Sequence, residues 1–130
     1  MIVDITNEVL TKLKAELTNV TVLPSYPDKP PKFPVVIVRD MQNISVGATK
    51  DTSGFKHSDV SIEFGIFTKG SKKMSDAKKI RNDIDEILSD EYGMNRVYSD
   101  EVPNYTDRDV YRYVLRYNGI IDENKLIYGR

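Results

Sequence analysis

The architecture follows from one run of residues, Val60-Ser61-Ile62-Glu63-Phe64-Gly65-Ile66-Phe67. Large apolar side chains occupy the even positions of this run from 60 to 66, and smaller or polar side chains stand between most of them. Side chains two residues apart lie on the same face of a β-strand, so this period predicts a strand with one buried face. We place this strand at Phe55–Lys69, where Gly70-Ser71 ends it.

A second long strand is predicted at Arg108–Ile121, and it alternates in the same way. One face carries Tyr111, Tyr113, Leu115 and Tyr117, and the other carries Val110, Arg112, Val114 and Arg116. We expect the tyrosine side chains to pack in the core and not to stack on nucleotide bases, because the arginines lie on the opposite face. Shorter strands are expected at Val20–Leu23, at Val35–Val38 with a continuation to Val46 after a bend, and at Asn95–Tyr98.

Two amphipathic helices complete the pattern. Apolar residues recur every four positions from Ile5 to Leu17, which predicts a helix over that range. A second helix is expected over 74–91, with Ser71 or Ser75 as its cap and Gly93 after its end. Its apolar stripe consists of Met74, Ala77, Ile80, Ile84, Ile87 and Leu88.

The element order is therefore α-β-β-β-α-β-β. Strand runs broken by only two helices predict an α+β fold in which both helices pack on one face of a mostly antiparallel sheet. Tyr111, Tyr113 and Leu115 should lie beneath the helices. We expect a single domain over residues 1–130, with a polar C-terminal tail at 122–130.

Composition excludes several classes of function. The balance of 19 basic and 20 acidic residues argues against wrapping nucleic acid as the main role. Cysteine is absent, so no thiolate is available for zinc or for catalysis. The longest apolar run, Val35–Val38, is far shorter than the ~20 residues of a membrane helix, and we expect no membrane association.

The sequence carries no pattern typical of an enzyme. His57 is the only histidine, and a surface position is favoured over a catalytic one, because no Gly-x-Ser-x-Gly motif or equivalent accompanies it. A metal-dependent nuclease would place lysine two residues after Glu63, but Gly65 stands there. We therefore predict no catalytic residue, no metal site and no cofactor.

Two loops are candidate contact regions, because loops often carry binding residues on a rigid scaffold. The first spans residues 24–34, holds five of the six prolines and carries Tyr26 and Phe33. It is either an ordered extended loop or a flexible connector. The second is the polar loop Gly47–Gly54, with Lys50 and Asp51, which Phe55 follows directly.

The second helix has an unusual charge order. Its first half, Lys72–Arg81, is basic and its second half, Asn82–Glu91, is acidic, which opposes the helix dipole. One interpretation is a head-to-tail ring in which the basic half of one subunit meets acidic groups of the next. The candidate contact residues are Lys78, Lys79, Arg81, Asp83, Asp85 and Glu86. The alternative is a solvated surface whose charge order is accidental.

The whole chain resembles the small tail-terminator proteins of long-tailed bacteriophages, also called tail-completion or tail-to-head joining proteins, the family of the phage lambda tail terminator. The resemblance rests on length, element order and local patterns along nearly the whole chain. These patterns are Ile2–Leu10, Ser25-Tyr26-Pro27 to Phe33-Pro34 leading into Val35–Val38, Phe64-Gly65-Ile66-Phe67, the helix from Ser75, and Tyr111-Arg112-Tyr113.

This resemblance implies a structural protein that forms a hexameric ring on the tail tube and ends tail polymerisation. Its partners would be itself, the tail-tube protein and the head connector, and DNA would only pass through the channel. It would be located in the tail or neck of the virion after assembly in the bacterial cytoplasm. A head–tail connector or minor capsid component has a similar pattern, and a small adaptor protein or a carboxylate-dependent nuclease stays a further alternative.

Overall fold

The computed structural model describes residues 5–29, 31–45, 57–103, 107, 109–122 and 127–128. Helices α1 and α2 span Thr6–Glu16 and Lys73–Asp85, and a π-helical segment, Glu86–Glu91, continues α2. The strands are β1 (Thr21–Leu23), β2 (Val35–Ser45), β3 (His57–Lys69), β4 (Asn95–Glu101), β5 (Val110–Asp122) and β6 (Ile127–Tyr128). The predicted order of helices and long strands is confirmed.

The strands form one sheet in the order β1-β2-β3-β5-β4, and β6 pairs with β5. All neighbours are antiparallel except β1 and β2, which pair in parallel over three residues. At the centre, β3 and β5 are paired along their full length, from His57 opposite Asp122 to Lys69 opposite Val110. This long ladder fixes which side chains of the two strands share a face.

Both helices cover the same face of the sheet and close one hydrophobic core. The predicted inward residues of β3 are all fully buried, and so are Leu115 and Tyr117 of β5. Tyr113 is 8% exposed, and Tyr111 is partly buried against the same core. From the helices the core receives chiefly Val9, Leu13, Ala77, Ile80, Ile84 and Leu88.

Several boundaries differ from the sequence-based expectation. Strand β2 runs without a break through a bulge between Asp40 and Gln42, which is the predicted bend. Strand β4 continues three residues past Tyr98, to Glu101, because it pairs with β5 up to Tyr113. The polar tail includes Asp122, the last residue of β5, and the short strand β6. Residues 46–56, which include the expected polar loop, lie outside the described part of the chain.

The helices also differ from expectation at their ends. Met74 is 50% exposed, so it is not part of the buried stripe of α2. The N-cap of α2 is Lys72, not Ser71 or Ser75. The hydroxyl of Thr68 donates to the Lys73 carbonyl over 2.6 Å and so ties the first turn of α2 to the end of β3.

Candidate functional site

The sheet face opposite the helices, which we call the open face, is the main candidate surface. No described helix or strand packs on it, and only the proline-rich loop reaches one end. The face is formed by the odd positions of β3, from Ser61 to Lys69, and by the even positions of β5 that pair with them. Arginine and aromatic side chains, both of which are enriched at protein interfaces, lie on this face together with Glu63 and Lys69.

One row of side chains crosses four strands of the open face. Glu63 of β3 stands opposite both Arg39 of β2 and Arg116 of β5. Arg39 donates to Glu63 Oε1 over 3.2 Å, and Arg116 Nε donates to Oε2 over 2.8 Å. The Arg116 guanidinium in turn lies 4.9 Å from the centre of the Tyr98 ring on β4. We call Arg39, Glu63, Arg116 and Tyr98 the cross-strand row.

The cross-strand row contains a buried carboxylate, that of Glu63, on a sheet face that no described helix covers. Glu63 is only 8% exposed, and an acid at that depth requires charged partners. The two arginines provide them, while their own side chains stay 59% and 41% exposed. The row therefore presents ordered, partly exposed positive charge.

Beside this row lies a groove of about 280 Å³ lined by Tyr26, Ile37, Arg39, Glu63, Gly65, Phe67 and Arg112. The Phe67 ring leans over Gly65, where an added Cβ would lie 3.1 Å from Phe67 Cε1. Tyr26, which is 46% exposed, packs edge-on against Phe67 with 5.2 Å between ring centres. Glycine at position 65 thus leaves room for the aromatic wall of the groove.

Arg112 supplies the second positive group of this groove. Its guanidinium carbon lies 5.5 Å from the centre of the Phe67 ring, a distance typical of cation–π contacts. Its Nε is enclosed by protein and has no hydrogen-bond partner among the described residues. A buried donor without an acceptor costs free energy.

An acidic patch lies on the helix side of the molecule. A surface cavity of about 400 Å³ is lined there by Glu16, Leu17, Asp83, Glu86, Ile87, Asp90 and Glu91. Lys12 lies 3.0 Å from Glu16 and 3.7 Å from Glu91, and the bond to Glu16 raises the pKa of this lysine. We use the name acidic patch for Glu16, Asp83, Glu86, Asp90 and Glu91.

Several of the charged residues predicted as contacts on α2 are engaged within the chain. Lys79 pairs with Asp83 one turn away, at 3.4 Å. The Arg81 guanidinium lies over the Tyr113 ring at 5.4 Å and donates to the Tyr113 hydroxyl and to Asn82. Lys78 is exposed. The basic half of α2 therefore includes a cation, Arg81, that contributes to the protein's own packing.

Asp85 forms its contacts within the molecule. Its Oδ1 accepts hydrogen bonds from Tyr117 at 2.6 Å and from Ser89 at 3.0 Å, and Arg96 lies 3.2 Å away. Burial, together with the bond to Asp85, raises the pKa of Tyr117 well above its usual value near 10. Glu86, one residue further on, is exposed.

Of the two candidate loops, the structure describes most of the proline-rich loop and none of the polar loop Gly47–Gly54. Tyr26 belongs to the groove, and Phe33 is partly buried with Lys69 Nζ 6.0 Å from its ring centre. The proline-rich loop is bonded to β1, because Thr21 donates through its hydroxyl to Lys32 and through its amide to Pro34, both over 3.0 Å. Lys50, Asp51 and Phe55 lie outside the described residues.

The comparisons with known proteins assign no family. The chain matches no protein-family model, and no curated protein sequence matches it. Within the described residues, no three acidic or histidine side chains are grouped so that they could hold a metal ion. The same part of the chain has no helix with the length and apolar character needed to cross a membrane.

Sequence reasoning placed Arg112 and Arg116 together on the outer face but missed Arg39 and Glu63. Their pairing depends on the register between strands that are distant in sequence. The one local signal was Glu63 itself, an acid among buried positions of a strand. Such a position requires partners of opposite charge, and only the register identifies them.

Proposed function

We propose that this protein is a structural assembly protein of a long-tailed bacteriophage, and that it ends tail growth as a tail terminator. The observation that carries the proposal is the open face, a rigid surface of paired strands with arginine and aromatic side chains. Interfaces are enriched in these two residue types. A sheet that is fully packed on one side and open on the other is suited to contact another protein.

The resemblance gives this general role its specific form. The resemblance rests in part on the α-β-β-β-α-β-β order, which is the order of elements in the structure. In this proposal the protein forms a ring on the last ring of the tail tube and presents a surface to the head connector. DNA passes through the ring without sequence-specific contact.

The proposal is tested by deleting the gene from the phage genome that carries it and examining lysates by electron microscopy. We expect DNA-filled heads together with tails of abnormal length that fail to join them, because tube polymerisation has no stop. A copy of the gene supplied from a plasmid should restore normal particles, and the same plasmid with an early stop codon is the matched control.

Two results would contradict this role. Tails of normal length combined with defective heads would support the head–tail connector alternative. Particles that are normal in every respect would exclude a required role in assembly. A tail-tube gene immediately downstream would be the strongest independent support, because structural phage genes cluster.

A further inference from the structure

We infer that the groove and cross-strand row of the open face receive the acidic patch of a second copy of this chain, in a head-to-tail contact. This inference rests on the proposed assembly role, and it specifies which surfaces of the protein meet. It differs from a contact through the basic half of α2.

The groove and row of the open face carry positive charge that their own acids do not balance. Arg39, Arg112 and Arg116 share one groove and row with a single buried acid, Glu63. Asp100, on the same face opposite Val114, lines an adjacent cavity with Arg112, and its Oδ1 accepts from the Glu101 amide. With three guanidinium groups against the carboxylates of Glu63 and Asp100, the groove and row keep an excess of positive charge, which favours a carboxylate from a partner.

The acidic patch of the same chain is complementary in charge to the arginines of the open face. The acidic patch holds five carboxylates, and Lys12 and Lys79 are the cations paired with them in the described structure. Glu86 and Asp90 are exposed and have no ion pair among the described residues. They are the carboxylates best placed to reach a partner.

The acidic patch and the arginines of one molecule cannot contact each other. The acidic patch lies on the helix layer, while the arginines lie on the opposite face of the sheet. The sheet separates the two surfaces, so an arginine groove meets an acidic patch only if the patch belongs to another copy. Because the two surfaces differ, the contact is heterologous, and such contacts close into rings or extend into filaments.

The experiment measures self-association of the whole chain by sedimentation velocity and native mass spectrometry, at low and at high salt. The parent chain should assemble at micromolar concentration and dissociate as salt rises, because salt screens exposed charges. The acid variant Glu86→Lys/Asp90→Lys and the arginine variant Arg39→Gln/Arg112→Gln should each raise the apparent Kd about tenfold or more, equivalent to about 1.4 kcal/mol. Far-ultraviolet circular dichroism confirms that each variant is folded.

Mixing the two variants provides the sharpest result. Each variant keeps one intact surface, so an equimolar mixture has one productive contact, from the patch of the arginine variant to the groove of the acid variant. The mixture should therefore form heterodimers and stop there. The matched control is Lys72→Gln/Lys78→Gln, which removes two exposed positive charges, one at the N-cap of α2 and one within the helix. It should assemble like the parent chain.

Three outcomes would overturn the inference. In the first, the parent chain is a monomer at every concentration. In the second, both variants assemble as well as the parent. In the third, only the Lys72/Lys78 control weakens assembly. The last outcome would place the contact on the basic half of α2. A chain that restores tail length in phage but fails these tests would reject the inference alone and leave the proposed function standing.

Discussion

The two faces of strand β5 show how one strand serves two tasks. On the covered face Tyr113, Leu115 and Tyr117 are buried under the helices, and the tyrosine hydroxyls bond to Ser99 and Asp85. On the open face Arg112 and Arg116 lie over the Phe67 and Tyr98 rings. Apolar burial thus stabilises one face, while ion pairs and ring contacts order the other.

This comparison indicates where the free energy of folding is concentrated. A buried aliphatic side chain contributes ~1.5–3 kcal/mol by leaving water, whereas a partly exposed ion pair contributes ~0.2–1 kcal/mol. Substitution of the exposed arginines of the open face should therefore cost less stability than substitution of the buried residues under the helices. Val110 and Val114, which are also buried on the open face, are not expected to tolerate change in the same way.

The largest expected effect is on the covered face. Leu115→Ala should lower the free energy of unfolding by about 3 kcal/mol, because it leaves a cavity in a fully buried site. Urea unfolding followed by circular dichroism measures this loss. Val97→Ala is the control, because Val97 is 56% exposed on the edge strand β4 and its change should stay within about 0.5 kcal/mol. Equal losses for the two variants would contradict the comparison.

The sequence predicted the covered face well, because the period of a strand is a local property. The alternation of residues 60–67 identified which side chains of β3 are buried, and the same pattern in β5 placed its tyrosines under the helices. Element order also followed from local patterns. These features require no knowledge of which strands pair.

The open face was harder to predict because it depends on non-local pairing. The cross-strand row needs Arg39, Glu63 and Arg116 in register, although Glu63 and Arg116 are separated by 53 positions. The parallel pairing of β1 with β2 is likewise invisible in a local pattern. The π-helical segment was also missed, because its residues continue the apolar spacing of α2.

A smaller loss of stability is expected at Tyr117, whose hydroxyl is a polar group on the covered face. Tyr117→Phe removes the hydroxyl that donates to Asp85, and we expect a loss of about 1.5–2 kcal/mol at neutral pH. Asp85 keeps Ser89 and Arg96 as partners, which limits the loss. Thermal and urea unfolding both measure it, and an unchanged stability would mean that the bond contributes nothing.

The same variant should also change the response to alkaline pH. The pKa of Tyr117 is raised by burial, so above pH ~10 the unfolded chain loses this proton while the folded chain keeps it. Stability is complete below pH ~10 and falls as pH rises above it. Tyr117→Phe should reduce that decline by up to about 1.4 kcal/mol per pH unit. Burial also raises the pKa of Tyr111 to about 12, so part of the decline should persist.

The smallest expected effect belongs to the open face, and it is measured at Glu63. Glu63→Gln keeps the shape of the side chain but removes the charge that Arg39 and Arg116 share, so we expect a loss of about 1 kcal/mol at low salt. Asp83→Asn, which breaks the exposed pair with Lys79, is the matched control and should cost at most about 0.5 kcal/mol.

Double-mutant cycles with Arg39→Gln and Arg116→Gln would separate the two halves of the row. The shorter bond, from Arg116, should give the larger coupling energy. If Glu63→Gln costs as much as Leu115→Ala, the open face is a second core of the fold, and the distinction between the two faces fails.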